Sequence, residues 1–256
     1  MSFASLIELS APAAGAPLGF RILSASAVNL IFALLARGLG LVGRSGALAG
    51  FPLGVAVYVG SGYKGFLILL CFFVLGSAST RLGYREKAAR GIAEKQRGAR
   101  SWREAVANVL PGAIFSIVAI TTGHGALCLV AMVATFAEAA GDTAASEIGQ
   151  WLSPRAFLIT TLEPVPAGEN GGVTIPGSGA GFTASAAIIG LGFGLGLCTM
   201  RGALVAFGAA LAGNLLDSVL GATVERRGLV TNGIVNFASA SFAGVLALVS
   251  MIYLRP

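Results

Sequence analysis

The chain has 256 residues, of which 55% are hydrophobic and only 11% are charged, whereas a soluble domain carries about 25% charged residues. This composition excludes an ordinary soluble protein, and we expect no nucleic-acid partner. Much of the net charge of +6 lies in residues 81–104, where eight Lys or Arg stand against three Glu, an excess of five. Apolar stretches of near-spanning length recur along the chain, which indicates a polytopic membrane protein.

The apolar stretches predict about eight membrane spans in one membrane domain that covers residues 1–256. Taken in chain order, the spans lie at roughly 20–36, 41–60, 65–80, 105–120, 125–141, 179–199, 203–223 and 235–254. Several of them are short or interrupted by glycine, so a total of seven or nine also fits the pattern. The predicted fold is therefore all-α, a polytopic transmembrane helical bundle with no soluble domain.

The basic segment 81–104 predicts the orientation of this bundle. By the positive-inside rule it lies in the cytosol, and alternation then places the connections 37–44, 142–178 and 224–234 on the same side. In a bacterium the protein would lie in the inner cell membrane. The basic segment either sets the topology and contacts lipid headgroups, or in addition binds an anionic substrate. Every polar cluster of interest falls on this predicted cytosolic side.

The first polar cluster follows the fifth predicted span, in EAAGDTAASEIG. Glu138 and Asp142 are spaced i, i+4, so a helix places both on one face. Asp142 and Glu147, together with the hydroxyls of Thr143 and Ser146, offer the oxygen ligands that Mg²⁺ takes alongside substrate phosphates. The alternative is a helix end with ordinary polar caps.

The second cluster lies in GNLLDSVLGATVE, inside an apolar helix. Asn214, Asp217 and Gly221 are spaced so that all three share a helix face. A carboxylate this deep in an apolar segment needs a partner or a metal. The alternative is a structural role, because small and polar residues also form hydrogen bonds between membrane helices.

The third cluster is the glycine-rich stretch that contains Asn170, Gly171 and Gly172. Successive free backbone N–H groups in such a turn form an anion-binding nest, and the helix that begins near 179 adds the positive end of its dipole. The stretch lacks the lysine of a phosphate-binding Walker motif and the strand–helix context of a dinucleotide fingerprint. A flexible membrane loop is the alternative.

The fourth group consists of polar residues that face the same side from other segments. Lys87 and Arg100 have the charge to cover phosphate oxygens, and Arg can do so with two parallel hydrogen bonds. Asn108 begins the fourth span, and Asn232 and Asn236, spaced i, i+4, begin the last one. Taken one at a time, each of these residues is compatible with a purely structural role.

Several ordered motifs resemble one known family. They are KAARGIAEKQRGARSWREAVANVLPG, GDTAASEIG, PVPAGENGGVTIPGSGAG, and GNLLDSVLGAT with the following TNGIVNF. They cover roughly residues 60–240 and are similar to the integral membrane family that includes phytyl-phosphate kinase. Three positions depart from that pattern: Glu169 replaces a small hydroxyl residue, Glu225 replaces glutamine, and Thr231-Asn232 replaces a pair of asparagines.

The resemblance implies a kinase that transfers a phosphoryl group from a nucleoside triphosphate, with CTP as the expected donor, to an isoprenyl monophosphate at the cytosolic face. The expected partners are therefore the lipid bilayer and these two substrates, and the expected cofactor is Mg²⁺. We assign the candidate residues as follows: Asp142, Glu147 and Asp217 bind Mg²⁺; Asn170, Gly171 and Gly172 cradle phosphate; Lys87, Arg100 and Asn108 orient the anionic substrates; Asn214, Asn232 and Asn236 complete the phosphate-binding set.

Two other functions fit the same features. One is a CTP-dependent kinase or cytidylyltransferase acting on another lipid, and the other is a transporter of a small anion or metabolite, whose helices are often broken by glycine. Cys71, Cys128 and Cys198 each stand alone in an apolar stretch, so we expect no zinc site or disulfide, and no haem or flavin. The oligomeric state is left open.

Overall fold

A computed structural model of the chain describes residues 17–94 and 98–254. Lys95 and Arg97 of the predicted basic segment lie outside the described residues. The helices and strands run as follows: α1 Leu18–Gly38, α2 Arg44–Arg81, α3 Tyr84–Ala89, α4 Trp102–Thr121, α5 Gly125–Leu152, β1 Arg155–Leu158, β2 Pro164–Pro166, β3 Gly172–Val173, α6 Ile175–Gly194, α7 Met200–Leu220, the π-helical turn Gly221–Glu225, and α8 Asn232–Tyr253.

Within the described residues, six helices are long and apolar enough to cross a membrane: α1, α2, α4, α5, α7 with its π-helical turn, and α8. The predicted fold, a polytopic bundle of transmembrane helices, is confirmed, and the number of such helices is near the predicted seven to nine. Many outward-facing side chains are large and apolar, among them Leu30, Ile31 and Leu34 of α1. The lipid bilayer is the solvent that suits such a surface.

Helix α2 spans 38 residues in two helical arms that meet at Gly62, whose φ of 68° and ψ of −170° are not helical. Its two arms fold back on each other. This is shown by Gly46 near the start and Gly76 near the end, which both lie against Arg100. This hairpin accounts for the two predicted spans at 41–60 and 65–80. A glycine is needed at the break, since side chains rarely allow this backbone conformation.

Helix α5 forms the centre of the bundle, and most of its residues are buried. It approaches α6 closely through small residues: Gly141 lies against the backbone of Gly181, and Gly149 lies against Gly177. The hydroxyl of Ser185 donates a hydrogen bond to the Ala137 carbonyl oxygen at 2.8 Å. Small residues and hydroxyl groups are the usual means by which helices associate inside a membrane.

The predicted end of the fifth span at residue 141 is wrong, because α5 continues for three more turns to Leu152. Asp142 and Glu147 therefore lie on a helix and not in a loop. The polar residues of GDTAASEIG lowered the hydropathy of this segment, but Thr143 and Glu147 are buried inside the bundle and Asp142 is half-buried. The true connection contains a three-stranded antiparallel sheet in the order β2-β1-β3.

The four connections expected on one side do lie together at one end of the bundle. The Gly43 N–H donates to the Arg100 carbonyl oxygen at 2.9 Å, which joins the first connection to the basic segment. Arg90 donates to the Ser153 carbonyl oxygen at 3.2 Å. Glu169 pairs with Arg226 at 3.0 Å. The polar clusters that are far apart in sequence are thereby brought to one end of the fold.

Candidate functional site

The centre of the candidate site is a pair of carboxylates on two different helices. Asp142 of α5 and Asp217 of α7 lie within hydrogen-bonding reach of each other. The Ser239 hydroxyl of α8 donates to Asp217 Oδ2 at 3.1 Å. Two carboxylates that approach each other in an apolar bundle require a proton or a cation between them. This pair is therefore the place where the fold is best prepared to take up positive charge.

A third carboxylate, Glu138, lies one turn along α5 from Asp142 and is only 1% exposed. One of its oxygens, Oε1, is buried and has no hydrogen-bond partner among the described residues, while its carboxylate interacts with Ser239 and with the charges of both aspartates. Gly213 makes room for it, since a side chain there would collide with Glu138. The i, i+4 spacing in the sequence placed Glu138 beside Asp142, but no function was predicted for Glu138. Nothing in the sequence indicated that Ser239 belongs to the site.

Asn214 supports the carboxylate pair from α7. Its side-chain nitrogen Nδ2 lies 3.4 Å from the Glu138 carbonyl oxygen and donates to the Ala210 carbonyl oxygen at 3.0 Å. Gly141 leaves space for this amide, because a Cβ there would lie 2.9 Å from Asn214 Nδ2. Asn214 thus connects α7 to α5 at the level of the site.

Of the cations that the sequence predicted for the site, Arg100 is the one that acts on the carboxylate pair. Its guanidinium donates to Glu104 Oε1 at 3.0 Å and to Thr80 Oγ1 at 3.2 Å, and it acts electrostatically on Asp142. A guanidinium has five N–H donors, and these two contacts with described residues use two of them. Arg100 is also half-buried.

Lys87 and Glu147, predicted to bind phosphate and metal separately, form an ion pair with each other. Lys87 is completely buried and also donates to the Thr80 carbonyl oxygen at 3.1 Å. The same residue, Thr80, accepts from Arg100 through its hydroxyl. The Lys87–Glu147 pair is therefore linked to Arg100 through Thr80. Direct contact of this pair with a substrate or metal stays a prediction.

The remaining predicted asparagines border the carboxylate pair. The side-chain nitrogen Nδ2 of Asn236 donates to Asn108 Oδ1 at 3.3 Å, and Asn236 lies one turn before Ser239 on α8. Asn232 forms a hydrogen bond with Glu225, whose charge acts on both aspartates. These contacts close the site between α4, α7 and α8.

The glycine-rich stretch reaches the same end of α7. Gly171, with a φ of 75°, packs against the backbone of Ala222, and Gly221 lies against the backbone of Gly171. Asn170 is exposed, and the Gly172 N–H already donates to the Glu169 carbonyl oxygen at 3.0 Å. The stretch thus lies one turn beyond Asp217, but its role as an anion nest stays a prediction.

In the described part of the chain, no set of three or more His, Cys, Asp or Glu side chains has the arrangement of a metal site. The carboxylate oxygens that the structure brings together at the site belong to Asp142, Asp217 and Glu138.

Comparisons with known proteins agree with the motifs. Residues 19–244 match the family described as integral membrane protein DUF92. The uncharacterized membrane protein sll0875 of Synechocystis sp. is 39% identical over 209 residues, which are 78% of this chain and 81% of that protein. Protein VTE6, chloroplastic, of Arabidopsis thaliana is 32% identical over 234 residues, 88% of this chain and 70% of that protein.

An archaeal relative, the uncharacterized membrane protein MJ0933 of Methanocaldococcus jannaschii, is 32% identical over 218 residues, 85% of this chain and 89% of that protein. No solved structure matches the chain. The resemblance drawn from the sequence motifs is confirmed, and the chain belongs to the integral membrane protein DUF92 family.

Proposed function

We propose that this protein is a membrane-embedded isoprenyl-phosphate kinase, which transfers a phosphoryl group from a nucleoside triphosphate to an isoprenyl monophosphate. The observation that carries the proposal is the meeting of Asp142 and Asp217 beside Arg100 at one end of an apolar bundle. Phosphoryl transfer requires positioning and neutralisation of charge more than covalent help from the protein. The similarity to VTE6 and the motif resemblance to the phytyl-phosphate kinase family support the same reaction.

The donor atoms of the site fit Mg²⁺. Hard oxygen ligands suit this ion, which is usually bound by one or two carboxylates together with substrate phosphates and water. We assign Asp142 and Asp217 to hold it. When bound, it would offset the negative charge of the nucleotide phosphates. The facing carboxylates, which otherwise repel each other, favour the uptake of such a cation.

The protein's own groups would align the two substrates. Arg100 would bind the phosphate of the acceptor through its other N–H donors, while the amides of Asn108 and Asn236 and the backbone near Gly171 would contact the nucleotide phosphates. An oxygen of the isoprenyl phosphate, already ionised at neutral pH, forms the new P–O bond as the bond to the nucleoside diphosphate breaks. No strong general base is needed for this step.

The Lys87–Glu147 pair would act as a positioning pair in this scheme. It holds the Thr80 segment of α2, and the Thr80 hydroxyl in turn accepts a hydrogen bond from Arg100. We further propose that CTP is the donor and that the site faces the cytosol, where the basic segment 81–104 is expected by the positive-inside rule.

The test uses purified protein in detergent with Mg²⁺ and geranylgeranyl or phytyl monophosphate, and with CTP, ATP, GTP and UTP in parallel. We expect the isoprenyl diphosphate as the product, detected by mass spectrometry, and a loss of at least about a hundredfold in Asp142→Asn and Asp217→Asn, because each change removes one of two charged ligands. Glu163→Gln, an exposed carboxylate in the β1–β2 connection, is the matched control and should keep wild-type activity.

The same assay separates the alternatives. A product that gains CMP with release of pyrophosphate would identify a cytidylyltransferase instead. If folded wild-type protein forms neither product with any of the four nucleotides, the proposed kinase activity is refuted.

A further inference from the structure

We propose that a groove beside the carboxylate site receives the isoprene unit that is bonded to the substrate's phosphate. This inference rests on the proposed function, since it names how the same site selects its acceptor. The groove, here called the tail groove, lies between α1, the two arms of α2 and the first turns of α4. Its apolar walls are formed chiefly by Phe32, Phe51, Leu69, Phe72, Phe73 and Val109.

The polar groups of the tail groove are concentrated where α4 begins. Arg100, Glu104 and Asn108 line it there, and Asn29 is the remaining polar residue of its lining. Asn29 is buried and donates to the carbonyl oxygen one turn earlier on its own helix at 2.9 Å. The tail groove therefore has apolar walls and one polar end, where the Arg100 guanidinium is paired with Glu104 and has N–H donors beyond those that it gives to Glu104 and Thr80. Such donors can bind the anionic headgroup of a single hydrocarbon chain that lies along the apolar walls.

The Arg100 end of the tail groove lies close to the carboxylate pair, as the electrostatic effect of Arg100 on Asp142 indicates. A methyl group added at Gly76 would lie 3.3 Å from Arg100 Nη2 and 3.5 Å from Thr143 Cγ2, and Thr143 is the neighbour of Asp142. A phosphate bound by Arg100 would thus lie between the groove and the proposed metal-binding aspartates. That is the position an acceptor phosphate must occupy if its chain lies in the groove.

The size of the tail groove limits what it can hold. Its cavity volume is about 80 Å³, and a single water needs about 10–15 Å³ by this measure, so the cavity takes roughly five to eight groups of that size. This corresponds to about one isoprene unit, with the rest of the chain left among the lipids. The groove should therefore recognise the unit next to the phosphate and tolerate different total chain lengths.

Glycines in α2 keep the groove open. A Cβ added at Gly50 would meet nothing within 4 Å, whereas a Cβ at Gly46 would collide with the Arg100 carbonyl oxygen. Gly50 is therefore the position at which a larger side chain can fill the groove without pushing on the backbone. Gly208 on α7 also has open space around it, lies outside the groove, and provides a matched control.

The experiment measures binding without requiring turnover. Protein in nanodiscs of dioleoyl phosphatidylcholine is irradiated with an isoprenyl monophosphate that carries a diazirine in its first isoprene unit, and cross-linked peptides are mapped by mass spectrometry. We expect labels on the groove walls of α1, α2 and α4. Gly50→Leu should lower labelling at least about tenfold, since it displaces several buried carbon atoms; Gly50→Ala should lower it less, and Gly208→Leu should leave it unchanged.

Two outcomes would overturn the inference. One is labelling of Gly50→Leu at the wild-type level while the variant elutes as a monodisperse, folded protein. The other is equal competition by dioleoyl phosphatidic acid, which would make the groove an ordinary lipid site. If labelling follows the expected pattern but the wild type transfers no phosphoryl group, the kinase proposal fails and the isoprenyl-phosphate groove stands.

Discussion

At the scale of single residues, the protein places ionic groups where the bilayer makes them costly. Asp142, Asp217 and Glu138 lie close together inside the bundle, with Glu138 completely buried. The neighbouring Lys87–Glu147 pair is equally buried, but it satisfies its own charges. The first group is thus prepared to receive a cation from outside, whereas the second has no net charge to offer and serves to hold the structure.

We predict that breaking the Lys87–Glu147 pair destabilises the protein strongly. Lys87→Met alone leaves a buried carboxylate without its partner and should lower the free energy of unfolding by about 3–5 kcal/mol. Lys87→Met combined with Glu147→Leu removes both charges and should recover most of that loss. Unfolding by sodium dodecyl sulfate titration in mixed micelles, followed by circular dichroism, measures both variants.

The control for that prediction is the Glu169–Arg226 pair, whose side chains are 38% and 44% exposed. Glu169→Gln should cost only about 0–1 kcal/mol, because an exposed ion pair is screened by water. Equal losses for the buried and the exposed pair would contradict the structural role assigned to Lys87 and Glu147.

At the scale of helices, the bundle depends on a few glycines with distinct tasks. Gly62 permits the reversal of α2, which brings Gly46 to the backbone carbonyl of Arg100 and Gly76 to the guanidinium of the same residue. Gly141 and Gly149 allow α5 to approach α6, so that the long central helix can carry Asp142 into the interior. The position of the site thus follows from backbone approaches that any side chain would prevent.

We predict that Gly62→Ala destabilises the hairpin by about 1–3 kcal/mol, although a Cβ at this position meets nothing within 4 Å. The cost arises from the backbone conformation, which is almost restricted to glycine. Gly208→Ala, in a regular helix with equally open space, should instead stabilise by up to about 1 kcal/mol. The same titration compares the two, and a stabilising effect of Gly62→Ala would show that the break is not required.

At the scale of the whole molecule, all the candidate groups lie at one end of a bundle whose surface is apolar. This arrangement suits a reaction in which a lipid-soluble acceptor and a water-soluble nucleotide meet at the membrane surface. The proposed reaction also requires that this end of the bundle face the cytosol, since nucleoside triphosphates are supplied on that side.

We predict that the connection after α5 faces the cytosol of a bacterial host. In intact cells, a membrane-impermeant maleimide should label Gly123→Cys, in the exposed α4–α5 connection at the opposite end. It should label Glu163→Cys only after the membrane is permeabilised. The unaltered chain, with its three native cysteines, gives the background, and labelling of Glu163→Cys in intact cells would contradict the orientation.

Some properties of this protein follow from the sequence alone, and others only from its tertiary structure. Composition and apolar periodicity determined the helical membrane class, because the bilayer admits few other structures for such a chain. Ordered motifs determined the family, and the grouping of polar segments at one end followed from alternation across the membrane. All of these are properties of local sequence or of its order along the chain.

The partners of each polar residue were decided by packing between helices distant in sequence. Only the folded chain shows that α5 carries GDTAASEIG inside the bundle, that Glu147 pairs with Lys87, and that Ser239 and Glu138 join the aspartates. Spacing along one helix predicts which residues share a face, but it does not predict which face of another helix they meet. In an apolar interior, the protonation state of a carboxylate is set by the charges and hydrogen-bond donors around it. The chemistry of the site therefore depends on the tertiary contacts.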